Sequence, residues 1–385
     1  MHENNLPIYE EERCFLFALG RNAIYAGCKI LGLQAGDEVL TPAFDCDSSL
    51  QPFRVIGVKM IFFRSDPYTF SVDIEDIKRK ITPQTKLIHI INHFGMPQPW
   101  DELLLLREET GIPILEDNAY SLFSRVNNRL FGTFGDISIF SLRKNLPLTD
   151  GGLLRVNNPK YKLTFFKKDT PYYYPIEYLE FLRLATKKLE FFSFLKRVIK
   201  KFYPLSEPPP PLYSENEQGF PVWPARDIIG KEFSCDYLRP MSRLAMKQLS
   251  KLTQSDFTEI SEKKRYYYDW LSRKLKDMEG IKVLWPELPD GIDPFCLSCL
   301  FNSKRDIFLK SLRKKYEVMA WPTLSKLILD QLDSFPEVAL LGRKLLQINL
   351  PADRVRSSDF SNYLDNLIRD LYFLIKNNTH VQISA

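Results

Sequence analysis

An amine becomes a nucleophile where its surroundings hold off its proton, and Lys144 occupies such a setting. It follows the apolar run that ends at Phe140-Ser141 and precedes Leu146-Pro147-Leu148-Thr149-Asp150-Gly151-Gly152. A lysine just past a buried strand can be desolvated and its pKa lowered toward nucleophilic use. A second run, Pro113-Ile114-Leu115-Glu116-Asp117-Asn118-Ala119-Tyr120, is an apolar strand ending in an acidic pair. A carboxylate at a strand end can hold the proton on a ring nitrogen of a heterocyclic cofactor. A third run, Gly20-Arg21-Asn22-Ala23-Ile24, opens a helix. The free amides and dipole of such a helix start attract phosphate, and Arg21 adds a formal charge. Taken singly, each run has a plainer reading: a solvated loop lysine, an Asp117 that caps the next segment, an ordinary helix start. Their order and setting, as phosphate cup, acidic strand end and lysine loop, favour one site assembled from all three.

The elements that would position these residues alternate between strand and helix periods from residue 20 to 160. Ala23, Ile24, Cys28, Ile30 and Leu31 fit a helix, Glu38-Val39-Leu40 a strand ending at Pro42, and Val58 to Phe63 the next strand. Ile74 to Lys80 reads as a helix, Leu87 to Ile91 as a buried strand, Leu103 to Glu109 as a helix, and Ile112 to Leu115 and Ile137 to Phe140 as further strands. Successive βα units predict a parallel sheet flanked by helices, with ligands at the carboxyl ends of the strands. The rhythm breaks from Asn157 to Trp223. There, residues 176–202 carry one helical face of Tyr178, Leu182, Ala185, Leu189, Phe192, Leu195, Ile199 and Phe202, widened by Phe181, Leu184, Phe191 and Phe194. The prolines 208–211 then make a stiff linker. Beyond it, a helix from Ser242, a strand over Phe295 to Phe301, a helix over Arg305 to Tyr316 and a closing helix over Tyr363 to Ile375 predict a smaller C-terminal unit. The expected division is 1–160, 161–232 and 233–385.

The 385 residues are 44% apolar, enough for a large core and more than one domain usually holds. A net charge of +5 is too even to suggest nucleic acid as the main partner. Residues 161–202 alone hold ten Lys/Arg against four Asp/Glu. The polar N-terminus lacks the pattern of a signal peptide, and no apolar run reaches the roughly 20 residues that span a bilayer, so the expected location is cytoplasmic. Cys296-Leu297-Ser298-Cys299 has no second ligand pair and reads as a buried strand; no metal is expected.

The three runs, with Gly36-Asp37-Glu38-Val39, Thr41-Pro42, Asp66, Asp73, Ile81-Thr82-Pro83-Gln84-Thr85-Lys86, His93-Phe94-Gly95-Met96-Pro97 and Gly135-Asp136, fall in an order that resembles the DegT/StrS family of pyridoxal-phosphate (PLP) dependent sugar aminotransferases. The resemblance covers roughly residues 15–155 well and 236–375 loosely. It implies an α/β protein of the type I PLP-dependent transferase fold: a mostly parallel sheet with flanking helices plus a smaller C-terminal α/β domain. By the same resemblance Lys144 carries the cofactor, Asp117 partners its pyridine nitrogen, and Ser141, Arg21 and Asn22 bind its phosphate. Cys46 falls where an aromatic often stacks on the ring, and Tyr120 where Gln or His often contacts it. The step from Ser141 to Lys144 is about two residues shorter than in well-known members. An Asn-x-Arg cluster survives at most as Tyr237-Leu238-Arg239.

The implied reaction passes an amino group from an amino acid, glutamate being the expected donor, to a keto-sugar nucleotide, with Lys144 also carrying the proton. Retention of lysine argues against the related sugar dehydratases, which use histidine. A homodimer with sites at its interface is expected. The departures at Arg21, Cys46 and Tyr120 leave open a regulatory or structural protein that keeps the fold without turnover. The helix over 176–202, apolar with flanking Lys187, Lys188, Lys196, Arg197, Lys200 and Lys201, reads either as a face packed on protein or as peripheral contact with the inner membrane face.

Overall fold

The computed structural model describes residues 6–10, 12–161, 214–215, 221–222, 237–302, 305–322 and 324–378. The predicted helix over 176–202 lies outside the described residues.

Strand β1 (Cys14–Phe17) leads into helix α1 (Gly20–Ile30), then β2 (Glu38–Pro42), α2 (Asp47–Ile56), β3 (Lys59–Phe63), α3 (Ile74–Lys80), β4 (Thr85–Ile91), α4 (Trp100–Thr110) and β5 (Ile114–Asn118). A small hairpin of β6 (Arg125–Val126) and β7 (Arg129–Leu130) precedes β8 (Ile137–Phe140), the one-turn helix α5 (Leu142–Asn145) and β9 (Gly152–Val156). Seven of these strands form one sheet in the order β1-β9-β8-β5-β4-β2-β3. The five from β8 to β3 are parallel, whereas β9 runs antiparallel to both β8 and β1. Strands β2, β5, β8 and β9 are buried at every position, as expected of a sheet covered on both faces.

Local sequence sets the boundaries. Asp73 caps α3 by accepting from the Asp76 amide at 2.9 Å. Gly57 ends α2 and Gly111 ends α4, both at positive φ. Helix α2 was not among the expected elements, and it has Pro52 inside it. The proline sits far enough along for the preceding turn to form, and Arg54 grips Asp47 through two bonds of 3.0 and 2.9 Å. Lys144, expected in a loop, lies in the single helical turn α5.

After the linker the chain returns to the free side of β1. The Ala18 amide donates to the Arg239 carbonyl and the Met241 amide to the Leu16 carbonyl, and Phe17 bridges Pro240. Ser242 then caps α6 (Arg243–Leu249), and its amide and hydroxyl both donate to Asp150. A capping box between Thr253 and Asp256 starts the long helix α7 (Gln254–Leu275).

The C-terminal sheet has the order β12-β13-β15-β14, with β12 Ile281–Val283, β13 Cys296–Phe301, β14 Val318–Met319 and β15 Leu345–Asn349; the short pair β10 (Ser214–Glu215) and β11 (Pro221–Val222) stands apart. The Cys296-to-Cys299 run is inside β13, as expected of a buried strand. The helix predicted to reach Tyr316 ends at Leu312, since the chain must turn there to align β14 with β15. The closing helix runs from Phe360 to Asn378.

One apolar cluster continues from Leu40, Ile88 and Ile114 in the large sheet through Tyr268 and Leu271 of α7 to Leu297 and Ile348 in the small one. Within it, Lys264 of α7 and Asp293 form an ion pair at 3.3 Å with both side chains 1% exposed.

Candidate active site

The carboxyl ends of β2, β4, β5 and β8 and the start of α1 surround a cleft of about 540 Å³ counted out to its solvent mouth. Arg21, Cys46, Asp117, Tyr120, Ser141 and Lys144 line it, and so do Asp45 and Arg143. Asn22 is buried within α1 and is not among the lining residues. Sheet order accounts for the convergence: strands distant in sequence end side by side, and the loops that follow them face one another.

Asp117 ends β5 nearly buried. One carboxylate oxygen accepts from the Ala119 amide at 2.8 Å and the other lies 3.3 Å from His89 Nε2. The other ring nitrogen of His89 is 3.0 Å from the Thr41 hydroxyl. Thr41, His89 and Asp117 sit on the adjacent strands β2, β4 and β5, so a polar row crosses the sheet and fixes the carboxylate. Glu116, the other half of the acidic pair, serves a different end. It is fully buried and accepts from the amides of Gly132, Phe134 and Gly135 and from the Ser138 hydroxyl, which anchors the loop before β8.

The Lys144 ammonium lies 4.1 Å from the centre of the Tyr120 ring and 5.6 Å from that of Trp321. Burial, helped by Arg143, holds its pKa below the usual lysine value, although Cys46, Asp117 and Asp45 oppose the shift. Tyr120 packs edge-on to Phe295 and beside His93 and Phe94, and its hydroxyl accepts from the Trp321 indole N–H. Burial pushes that phenol upward, so it stays neutral.

The start of α1 forms the other wall. Its cap residue Leu19 offers no side-chain bond and its first turn has no acidic residue, so the leading amides face outward with a positive dipole end. A methyl group added at Gly20 would meet Ser141 Cβ at 3.5 Å and the Phe140 carbonyl at 3.8 Å, so the helix start and Ser141 adjoin. Arg21 is steadied by a 3.3 Å bond to Gln51.

The paired glycines after Lys144 hold this wall in place. A Cβ at Gly152 would come within 2.2 Å of the Leu19 carbonyl oxygen and 2.7 Å of the Gly20 nitrogen. Only glycine lets β9 pass so close to the helix start. Gly151, at φ +139°, donates to the Ala18 carbonyl at 2.7 Å.

His89, Thr41, Asp45 and Trp321 were not singled out from sequence. Thr41 and Asp45 lie near the end of β2 and His89 lies two residues before the end of β4, strands that were themselves legible, so alignment of those strands was the available signal. Trp321 reaches the cleft from the C-terminal unit, 201 residues from Tyr120, and carried no such signal.

Residues 9–167 match the sequence profile of the DegT/DnrJ/EryC1/StrS aminotransferase family. Two curated relatives match part of the chain. GDP-perosamine synthase of Escherichia coli O157:H7 is 32% identical over 141 residues, or 36% of this chain and 39% of that protein. The Vibrio cholerae enzyme of the same name is 33% identical over 132 residues, 34% of this chain and 36% of that protein. The matched segment thus spans less than two-fifths of each relative. Among solved structures, the aminotransferase TlmJ of Streptoalloteichus hindustanus superimposes with a TM-score of 0.65 at 16% identity, covering 96% of this chain and 87% of that one. An E. coli GDP-4-keto-6-deoxy-D-mannose-3-dehydratase with bound hydrated PLP gives 0.61 at 18% identity, over 92% and 86%. These likenesses extend the shared fold over both sheets. Over residues 9–167, about two-fifths of its length, the chain resembles the DegT/DnrJ/EryC1/StrS aminotransferase family.

Proposed function

We propose that this chain is a PLP-dependent aminotransferase that moves an amino group from an amino acid, with glutamate as the expected donor, to a keto-sugar nucleotide. The observation that carries this reading is the convergence of Lys144, Asp117 and the acid-free start of α1 on one cleft. The two curated relatives, both named GDP-perosamine synthase, support the substrate class.

The donor set fits PLP. The leading amides of α1, the Ser141 hydroxyl and the Arg21 guanidinium would make a cup for its phosphate, with Asn22 buried in the same helix start. Asp117 suits a protonated pyridine nitrogen, and the row through His89 to Thr41 keeps it oriented. Cys46 gives a small wall where the family often has an aromatic; the aromatic surface comes from Tyr120, steadied by Trp321. When bound, PLP supplies an electron sink for bond cleavage at the carbon bearing the amino group. Lys144 contributes a nucleophilic amine whose proton is weakly held, and the same nitrogen can accept and return a proton at the substrate carbon. Arg143, at the cleft mouth, presents positive charge to an anionic substrate.

The purified protein should show a visible absorption band that borohydride bleaches and that shifts when an amino acid is added. A protein that binds PLP but shows no shift with any amino acid would support the competing reading, a fold retained without turnover. We further propose the division into 1–160, 161–232 and 233–385, a homodimer, and a cytoplasmic location with peripheral membrane contact through 176–202 as a testable option. Among the described residues, no helix is long and apolar enough to cross a membrane.

A further inference from the structure

Asp45 is a second carboxyl group in the cleft, and none of the roles above uses it. It follows β2, is 4% exposed, and lines the same space as Asp117 and Lys144. Its Oδ1 accepts from the Cys46 amide at 2.6 Å. Its Oδ2 lies 2.6 Å from the Ser49 hydroxyl, which is also 2.7 Å from the Cys46 carbonyl.

That pair of contacts serves either protonation state. With Asp45 neutral, its proton goes to Ser49 Oγ and the Ser49 proton goes to the Cys46 carbonyl. With Asp45 ionised, the Ser49 hydroxyl rotates toward Oδ2, and the Cys46 carbonyl keeps the Ser49 amide at 3.1 Å. Only one hydroxyl need turn, so Asp45 can gain or lose a proton without rebuilding the loop. The groups facing it come from several elements: His89 on β4, Asp117 on β5, Lys144 in α5, Tyr120 after β5, and its neighbour Cys46. Burial chiefly, and Asp117 in part, push the Asp45 carboxyl up to about 7, against the pull of His89, Ser49 and the Cys46 amide.

We propose that Asp45 is a positioning residue that exchanges a proton in the cleft and, on losing it, weakens the hold of the cleft on a phosphate-bearing ligand. A negative charge here would oppose an anion seated at the start of α1 and would add to the charge of Asp117. The ligand in this inference rests on the PLP reading; the titration of Asp45 does not.

Asp45→Asn separates the two, because an amide reproduces the shape and hydrogen bonding of the neutral acid. Carbon NMR of carboxyl-labelled protein should show one carboxyl titrating between pH 6 and 8 that is missing in D45N. The second readout is calorimetric binding of pyridoxamine 5′-phosphate, which lacks the aldehyde that reacts with Lys144, at pH 6 and pH 8.5. Raising the pH favours binding through the ligand phosphate and disfavours it through Asp45. The affinity ratio between the two pH values should therefore be less favourable in the wild-type protein than in D45N by about tenfold, the equivalent of one pKa unit. Identical pH profiles in the two proteins, or no carboxyl titrating in that window, would overturn the inference. Absence of binding in both proteins at both pH values, with the NMR titration present, would count against the PLP reading and against the ligand half of this inference while leaving the proton assignment standing.

Discussion

Replacing Lys144 by Ala removes the amine without opening the core, since the side chain lines a cleft. Amino transfer should fall below about one part in a thousand of the wild-type rate, given what covalent catalysis supplies, with the unfolding midpoint little changed. Residual turnover above that level, measured with glutamate as donor, would remove Lys144 from the chemistry. Asp117→Asn should damage activity nearly as much, because an amide holds a pyridinium proton poorly. It should also weaken the visible absorption of the protein, a change that loss of folding alone would not confine to one band. That Lys144 and Asp117 would line one cleft was legible because Asp117 lies at the end of one buried strand and Lys144 in the turn after another. Asn22 illustrates the limit of such reading: helix periodicity placed it at the start of α1 but not which way its side chain would turn. His89 read as one polar residue within an apolar strand, and only the order β2-β4-β5 puts it between Thr41 and Asp117.

At the scale of elements, Gly152 has a structural duty that its place after the lysine turn does not reveal. Gly152→Ala drives a methyl into the Leu19 carbonyl and the Gly20 nitrogen, both backbone atoms that cannot rotate aside. We expect a loss of about 2–4 kcal/mol in denaturant unfolding, as for other overpacked sites, and weaker PLP binding because the helix start must shift. Gly32→Ala gives the opposite case, since Gly32 lies at φ +77° with nothing within 4 Å of an added methyl, whereas Gly152 has the clash without a positive φ. The parallel strands were legible from their apolar runs, and α3 from its acidic cap and basic end. Helix α2, with Pro52 inside it, was not among the elements read from the sequence. The antiparallel strands β1 and β9 were not read from the sequence either; they are placed by pairing, β9 with both β1 and β8.

Over the whole molecule, the predicted parallel sheet and smaller C-terminal sheet are both present, but their union depends on contacts no local pattern could announce. One of these is the Asp293 amide, which donates to the Ser124 hydroxyl at 2.9 Å, while the Asp293 side chain is paired with Lys264 inside the C-terminal unit. Lys264→Met leaves Asp293 charged among apolar neighbours and should cost about 3–5 kcal/mol, read from urea unfolding, with Lys264→Met/Asp293→Leu recovering much of it. Assembly is a separate question, answered by sedimentation: a dimer is expected, and a fully active monomer would refute an interfacial site. Vesicle flotation with anionic lipid tests residues 176–202, since binding that disappears on their deletion supports membrane contact and no binding at low salt eliminates it.

The return of the chain beside β1 makes such surgery practicable. Strand β9 leaves the sheet past the Cys14 end of β1, and residues 239–241 rejoin on the other side of β1 at its Phe17 end, so about one strand length and two strand widths separate the two junctions of the roughly 75 residues between Tyr161 and Tyr237. A deletion of that segment has to close the gap between those two junctions. A spacer of about ten residues could bridge it, and by loop-closure entropy alone the shortened protein would gain about 2 kcal/mol. The catalytic scaffold and whatever the detour does for the cell could thus be studied as two exchangeable parts.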